Sequence, residues 1–264
     1  MISLFAKPFI PCAALGMAFS LSACDGVDIG IGDSAGLPLA ELDMSGAAPT
    51  ELVLAGPDTV IVTEGNTLAI DVEGDAEVVE AMRFTNEDGS LRIMREKDFR
   101  SAKGKATVRV TMPRAQGVTI AGSGSARLPA MADKGEVTIA GSGDADIGTL
   151  TASRLEVTVA GSGSVKAAGS VDRLELTIAG SGSAVMPDLK ADRAEISIAG
   201  SGDATFASDG QVDASIIGSG DVIVQGNATC TVDAMGSGTV KCGQRATNAA
   251  KTAKPQDEKS QAGE

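Results

Sequence analysis

The sequence predicts an all-β chain whose larger part is a right-handed parallel β-helix, a β-solenoid of about seven short coils behind a strand-rich N-terminal capping region. Three observations predict it. Gly-Ser-Gly begins at Gly122, Gly141, Gly161, Gly180, Gly200, Gly218 and Gly236, so the intervals are 19, 20, 19, 20, 18 and 18. Five copies follow a tetrapeptide of one type (VTIA, VTIA, VTVA, LTIA and ISIA), in which apolar and hydroxyl side chains alternate with the period of a half-buried strand. A repeat this short, with no run of helical spacing, excludes helix-containing repeat units and fits one turn of a solenoid.

The elements follow in order. Residues 1–23 read as a signal peptide, with Lys7 in a short n-region and an apolar stretch from Phe9 to Phe19. Leu21-Ser22-Ala23-Cys24 resembles the bacterial lipobox, so Cys24 is the expected lipidation site and acyl chains the expected membrane anchor. Pro8 and Pro11 interrupt a run already shorter than the ~20 apolar residues of a spanning helix. Asp25 resembles an inner-membrane retention signal of enteric bacteria. Residues 24–49, rich in Gly, Ala and Asp, are expected to be a flexible tether. Residues 50–113 contain strand-like runs (ELVLAG, TVIVTEG, TLAIDVEG, SLRIMR, ATVRVTMP), with a hairpin signal at Asn86-Glu87-Asp88-Gly89. This region should cap the solenoid as an irregular first layer, because an open coil end exposes unpaired strand edges. Residues 114–245 form the repeat, and 246–264 lack apolar periodicity and should be disordered.

Stacking the repeats in register sorts the side chains into files. Val118, Val137, Val157, Leu176 and Ile196 should point inward, as should Ile120, Ile139, Val159, Ile178, Ile198 and Ile216. Past the glycines, Ala126, Ala145, Val165, Ala184, Ala204, Val222 and Val240 form a third file, and Leu128, Ile147, Ala167, Met186, Phe206 and Val224 a fourth. On the outside, Lys134, Arg154, Arg173 and Arg193 lie two residues before Glu136, Glu156, Glu175 and Glu195, a pairing that neutralises what would be a repulsive ladder. Cys230 and Cys242 fall in inward files of the last coil. In an oxidising compartment they are expected to form a disulfide, two small buried thiols being the alternative.

Composition excludes several kinds of chemistry. A formal charge of −13 argues against nucleic acid, which needs clustered Lys and Arg. The chain has no His, and so no common general base or transition-metal ligand. Gly-Ser-Gly-Asp at Gly141, Gly200 and Gly218 raises the question of calcium, but Ser and Asp suit turns on their own account and the glycine-rich nonapeptide pattern is absent. No metal or other cofactor is expected. Asp203 and Asp221 could flank a glycosidic bond in a polysaccharide-acting β-helix enzyme, yet no Trp or Tyr is present to stack a sugar. The outward file Thr119, Thr138, Thr158 and Thr177, continued by Ser197 and Ser215, admits an ice- or surface-binding solenoid as a further alternative.

The order of features, a strand-rich start, VTMP, then V-T-I-A-G-S-G-x-A coils behind a lipoprotein signal, resembles the head GIN domain family of adhesins over roughly residues 50–243. The resemblance implies a right-handed parallel β-helix in the periplasm or on a bacterial surface, and it carries over no catalytic residues. The expectation is a non-enzymatic cell-envelope lipoprotein, adhesin-like, that binds or scaffolds a protein or glycan.

Overall fold

The structure, a computed structural model, describes residues 36–97, 99 and 104–243. The signal segment, Cys24, the tether up to residue 35 and the tail from 246 lie outside the described residues. Sixteen strands build one sheet wound on itself: β1 (Glu51–Ala55), β2 (Thr59–Glu64), β3 (Ala69–Glu73), then a short helix α1 (Ala76–Glu80), β4 (Met82–Glu87), β5 (Ser90–Arg95), β6 (Thr107–Met112), β7 (Ala115–Gly122) and β8 (Ser125–Leu128). There follow β9 (Met131–Gly141), β10 (Asp144–Gly161), β11 (Ser164–Gly180), β12 (Ser183–Gly200), β13 (Asp203–Gly218), β14 (Asp221–Gln225), β15 (Thr229–Gly236) and β16 (Thr239–Cys242). From β7 onward every pairing is parallel, as a solenoid requires.

The corner explains the repeat. The first glycine of each Gly-Ser-Gly takes φ between 121° and 133°, a conformation that L side chains rarely adopt. A Cβ on the third residue would meet the backbone of the preceding coil: at Gly163 it would lie 2.5 Å from the Gly143 carbonyl oxygen. With both side chains absent, backbone packs on backbone. The Ser162 N–H donates to Gly141 O at 2.9 Å, Ser181 to Gly161 at 2.9 Å and Ser201 to Gly180 at 2.9 Å.

All four predicted inward files are buried wherever coils cover both sides, and the inward Val240 of the last coil is half-buried. The strand register pairs them residue for residue, Val137 with Val157 and Leu176 with Ile196. The strands run longer than the sequence suggests. In β10 to β13, 16 to 18 residues continue around the coil, so Gly-Ser-Gly is the main break rather than a separator of two short strands. Differences in coil length are absorbed at register shifts, such as those between Ile147 and Thr149 and between Met186 and Lys190, away from the corner.

The N-terminal region is more regular than an irregular first layer. β1 lies between β5 and β7, and β2 between β6 and β8, all parallel, so β1–β2 and β5–β6 are coils of the same stack. Antiparallel β4 on β5 and β3 on β6 then cap that end. The expected hairpin joins β4 to β5, with φ of 51° at Asp88 and 76° at Gly89. The tether also ends earlier than expected. Leu37 bridges Phe84, Leu39 packs against the core and Leu42 is buried, so the segment from Leu37 to Leu42 is docked. Three closely spaced leucines supply the apolar surface that a free tether would lack.

Gly56-Pro57-Asp58 is a corner in register with Gly122-Ser123-Gly124, since the Ser125 N–H donates to Asp58 O as Asp144 does to Gly124 O. Asp58 replaces the third glycine. The coil beneath it has no matching corner: β5 ends at Arg95 and the next strand of that coil, β6, begins at Thr107. The carboxylate occupies that space, gripped by Arg95 through Nε–Oδ2 at 2.8 Å and Nη2–Oδ1 at 2.6 Å, with the Ala106 N–H on Oδ1 at 2.8 Å. Phe99 stacks 5.6 Å from the guanidinium. The side chains are 1% (Asp58) and 11% (Arg95) exposed, so removing one partner strands the other.

The corner and the buried pair can each be tested by substitution. Gly161→Ala should destabilise the fold by about 2 kcal/mol or more, whereas Ser162→Ala next to it should stay within about 0.5 kcal/mol, measured by denaturant titration. Arg95→Met should cost about 3–5 kcal/mol, and the double variant Asp58→Asn/Arg95→Met should recover part of that loss because no charge is left buried.

Candidate functional site

The sheet face built from the second halves of β9 to β13 carries four outward files. Lys134, Arg154, Arg173 and Arg193 pair in register, as do Glu136, Glu156, Glu175 and Glu195. Arg154 reaches Glu156 at 3.0 Å and Glu175 at 2.5 Å, while Arg173 reaches Glu175 at 2.5 Å and Glu195 at 3.1 Å. Arg154 and Arg173 thus each span their own coil and the next. The Glu175 carboxylate raises the pKa of Arg173 further above its ordinary value. These pairs are exposed, so their use is register and solubility rather than stability.

The ladder fades toward the C-terminal coils, where Gln211 and Asp213, then Thr229 and Thr231, take the same positions. Arg173, Arg193, Ala194, Glu195, Gln211 and Asp213 line a shallow depression of about 220 Å³ there. Small-molecule sites usually offer roughly 300–1,000 Å³. Beside it, the hydroxyl file from Thr119 to Ser215 and the file of Ala121, Ala140, Ala160, Ala179 and Ala199 make a flat, small-residue surface.

Across the corner, the carboxylates are committed to neighbouring coils. Asp203 Oδ1 accepts the Asp221 N–H at 3.1 Å; Asp221 Oδ1 accepts the Thr239 hydroxyl at 2.5 Å and its N–H at 3.1 Å. Asp144 accepts the Ser164 hydroxyl in the same file. Asp203 and Asp221 are therefore stacked neighbours on a convex corner and do not face each other across a cleft. Among the described residues no three His, Cys, Asp or Glu side chains converge as a metal site would need. The arrangement suits contact with an extended surface.

Cys230 and Cys242 form a disulfide with Cα atoms 6.4 Å apart, both buried, tying β15 to β16 in the last coil. Two features escape the sequence reading. One is the Asp58–Arg95 pair. The other is a set of exposed apolar side chains, Leu37 and Met44 near the capped end and Val185, Ile217, Ile223 and Met235 in the later coils. Extending the alanine file by two coils would have found Ile217 and Met235, which the register aligns with Ala199.

A family model described as "Putative auto-transporter adhesin, head GIN domain" matches residues 48–228. Among solved structures, a putative adhesin from Bacteroides fragilis is similar at 22% identity and a TM-score of 0.65, covering 74% of this chain and 92% of its own. A putative lipid binding protein from Parabacteroides distasonis is similar at 21% identity and a TM-score of 0.60, with coverage of 74% and 93%. A putative adhesin from Parabacteroides merdae gives 18% identity, a TM-score of 0.54 and coverage of 74% and 91%. At these identities the likeness is one of fold. No curated protein matches the sequence.

Three hydrogen-bonded carboxylates contribute to the response to acid. The Thr239 hydroxyl lowers the pKa of Asp221, Lys190 and then the Asn227 N–H lower that of Asp209, and the Ser153 hydroxyl lowers that of Asp133, all from an ordinary 3.8. A depressed folded pKa gives stability that is present above the unfolded value and lost as pH falls through the folded one. Denaturant midpoints should therefore fall as pH drops through and below 3.8. The triple variant Asp133→Asn/Asp209→Asn/Asp221→Asn, which keeps acceptors but does not titrate, should show a shallower fall.

Proposed function

From its membership of the head GIN domain family, to which the chain belongs, we propose that this is a non-enzymatic, lipid-anchored protein of the bacterial cell envelope whose solenoid binds or scaffolds a partner in an adhesin-like way. The observation that carries the reading is the surface: flat sheet faces whose charges are neutralised in register and whose corner carboxylates are bonded to neighbouring coils. Such faces offer area rather than an enclosed pocket, which suits a protein or glycan surface. Attachment is assigned to acyl chains on Cys24 in Leu21-Ser22-Ala23-Cys24. The docked segment from Leu37 to Leu42 joins the body beside β4.

Lipid labelling of cells followed by fractionation, with protease shaving of intact cells, tests both halves of this reading. The wild-type protein should be labelled, sediment with membranes and be cleaved from outside, and Cys24→Ala should abolish the labelling. A labelled protein protected from protease would place its partner in the periplasm and remove the adhesin-like part. An unlabelled one would remove the anchor.

A further inference from the structure

The two ends of the stack are finished differently. At the N-terminal end β3 and β4 cover the edges of β6 and β5, the edge of β4 exchanges two 2.8 Å hydrogen bonds with Leu37, and the short β3 exposes Asp71 and Glu73. Charges on a short edge strand discourage further pairing. At the C-terminal end β15 pairs with β13 and β16 with β14, and among the described residues no strand lies on their outer sides. The inward residues Val232 and Val240 are only half-buried there and Ala234 is exposed, whereas Ala214, Ile216 and Val222 one coil earlier are buried. Strand β15 carries no proline, lysine or bulge to blunt its edge, and Asp233 is the single charged residue on its eight positions.

The surface around this end changes in the same coils. The alanine file becomes Ile217, 58% exposed, and Met235, 71% exposed. Ile223 is exposed on the other side of the corner, and the Arg/Glu ladder has given way to Thr229 and Thr231. A solvated face that is satisfied by alanine in five earlier coils has no need of isoleucine and methionine. An open strand edge, an uncovered core layer and an apolar rim coincide, and the Cys230–Cys242 disulfide holds the two edge strands in place beforehand, so little ordering remains to be done on docking.

We propose that the C-terminal end of the solenoid is a docking surface for a second copy of this chain, the two meeting tail to tail with their β15 edges paired across a two-fold axis and Ile217 and Met235 at the rim. Another solenoid end matches best: it presents the same strand spacing, the same cross-section of inward side chains and the same apolar rim. The asymmetry of the ends sets the stoichiometry. Each copy has one open end and one blunted end, so the contact is isologous and closes at two rather than propagating into a filament. The inference does not depend on membrane attachment, because this end is open whether or not Cys24 is acylated.

The test is photo-crosslinking of the full-length protein in its own cells, with a benzophenone amino acid in place of Thr231 on the β15 edge and, as a control, in place of Met44 near the capped end. Light should give a Thr231 adduct of twice the chain mass and none from Met44. Ile217→Lys/Met235→Lys should reduce that adduct at least tenfold while leaving the unfolding midpoint unchanged, since both side chains are exposed. Four results would overturn the proposal: an adduct mapping within one chain to residues 244–264, an adduct with a different protein or with lipid, a ladder of higher oligomers, or a pair indifferent to the double substitution.

Discussion

Backbone-to-backbone contact at the Gly-Ser-Gly corner is the constraint on which the rest of the fold depends. Each coil passes the one before it with a glycine where a Cβ would strike a carbonyl, and a serine N–H seals the contact. Once corners superpose, period-2 alternation decides which side chains enter the core, and the cross-section of that core becomes nearly the same in every layer. Side chains within a layer must then compensate one another in volume. In the layer that holds Phe206 the companions include Ala204 and Ala214; in the layer of β11, where Ala167 takes the place of Phe206, Val165 and Leu176 take theirs. Large and small residues interdigitate without aromatic stacking, which is how a chain with six Phe and no Trp or Tyr builds a dry interior.

How much of this was legible beforehand varied with how local the cause was. The inward files, the charged ladder, the Asp88-Gly89 hairpin and the pairing of Cys230 with Cys242 follow from periodicity and turn chemistry, and all were readable. The coils β1–β2 and β5–β6 were not, because their neighbours in the stack are distant in sequence and the insertion between them breaks the period. Asp58 hid for a related reason. A carboxylate at a corner position that otherwise demands glycine makes sense only once the coil beneath is seen to lack a corner between Arg95 and Thr107. The docking of Leu37, Leu39 and Leu42 was masked by the Gly, Ala and Asp around them. Of the candidate site, the ladder was visible, and the apolar rim at Ile217 and Met235 shows only when the alanine file is carried two coils past its last alanine.

Core and surface therefore carry different kinds of information. Inward positions are dictated by layer volume and say little about role. Outward positions are nearly free, so a departure from the local habit is informative where a continuation is not. The Arg/Glu ladder, self-neutralised and solvated, reads as maintenance of the sheet. Membership of an adhesin-labelled family, flat faces and the most exposed apolar side chains, Ile217 and Met235, in the last coils all direct attention to extended contact rather than to chemistry on a bound small molecule.

The position of β1–β2 between two coils that come later in the sequence bears on how the molecule assembles. Glu51 finds one partner at Ser90 and the other at Gly117, so the first strands to be made wait for segments far downstream before either edge is satisfied. The regular coils have no such delay, because each docks on the one synthesised immediately before it, a single repeat away in the chain. Loop-closure entropy favours those nearer contacts as the place to begin. Synthesis and assembly then run in opposite directions through this end of the molecule: the N-terminal strands emerge first, yet they are fitted into a stack whose template lies behind them in the chain.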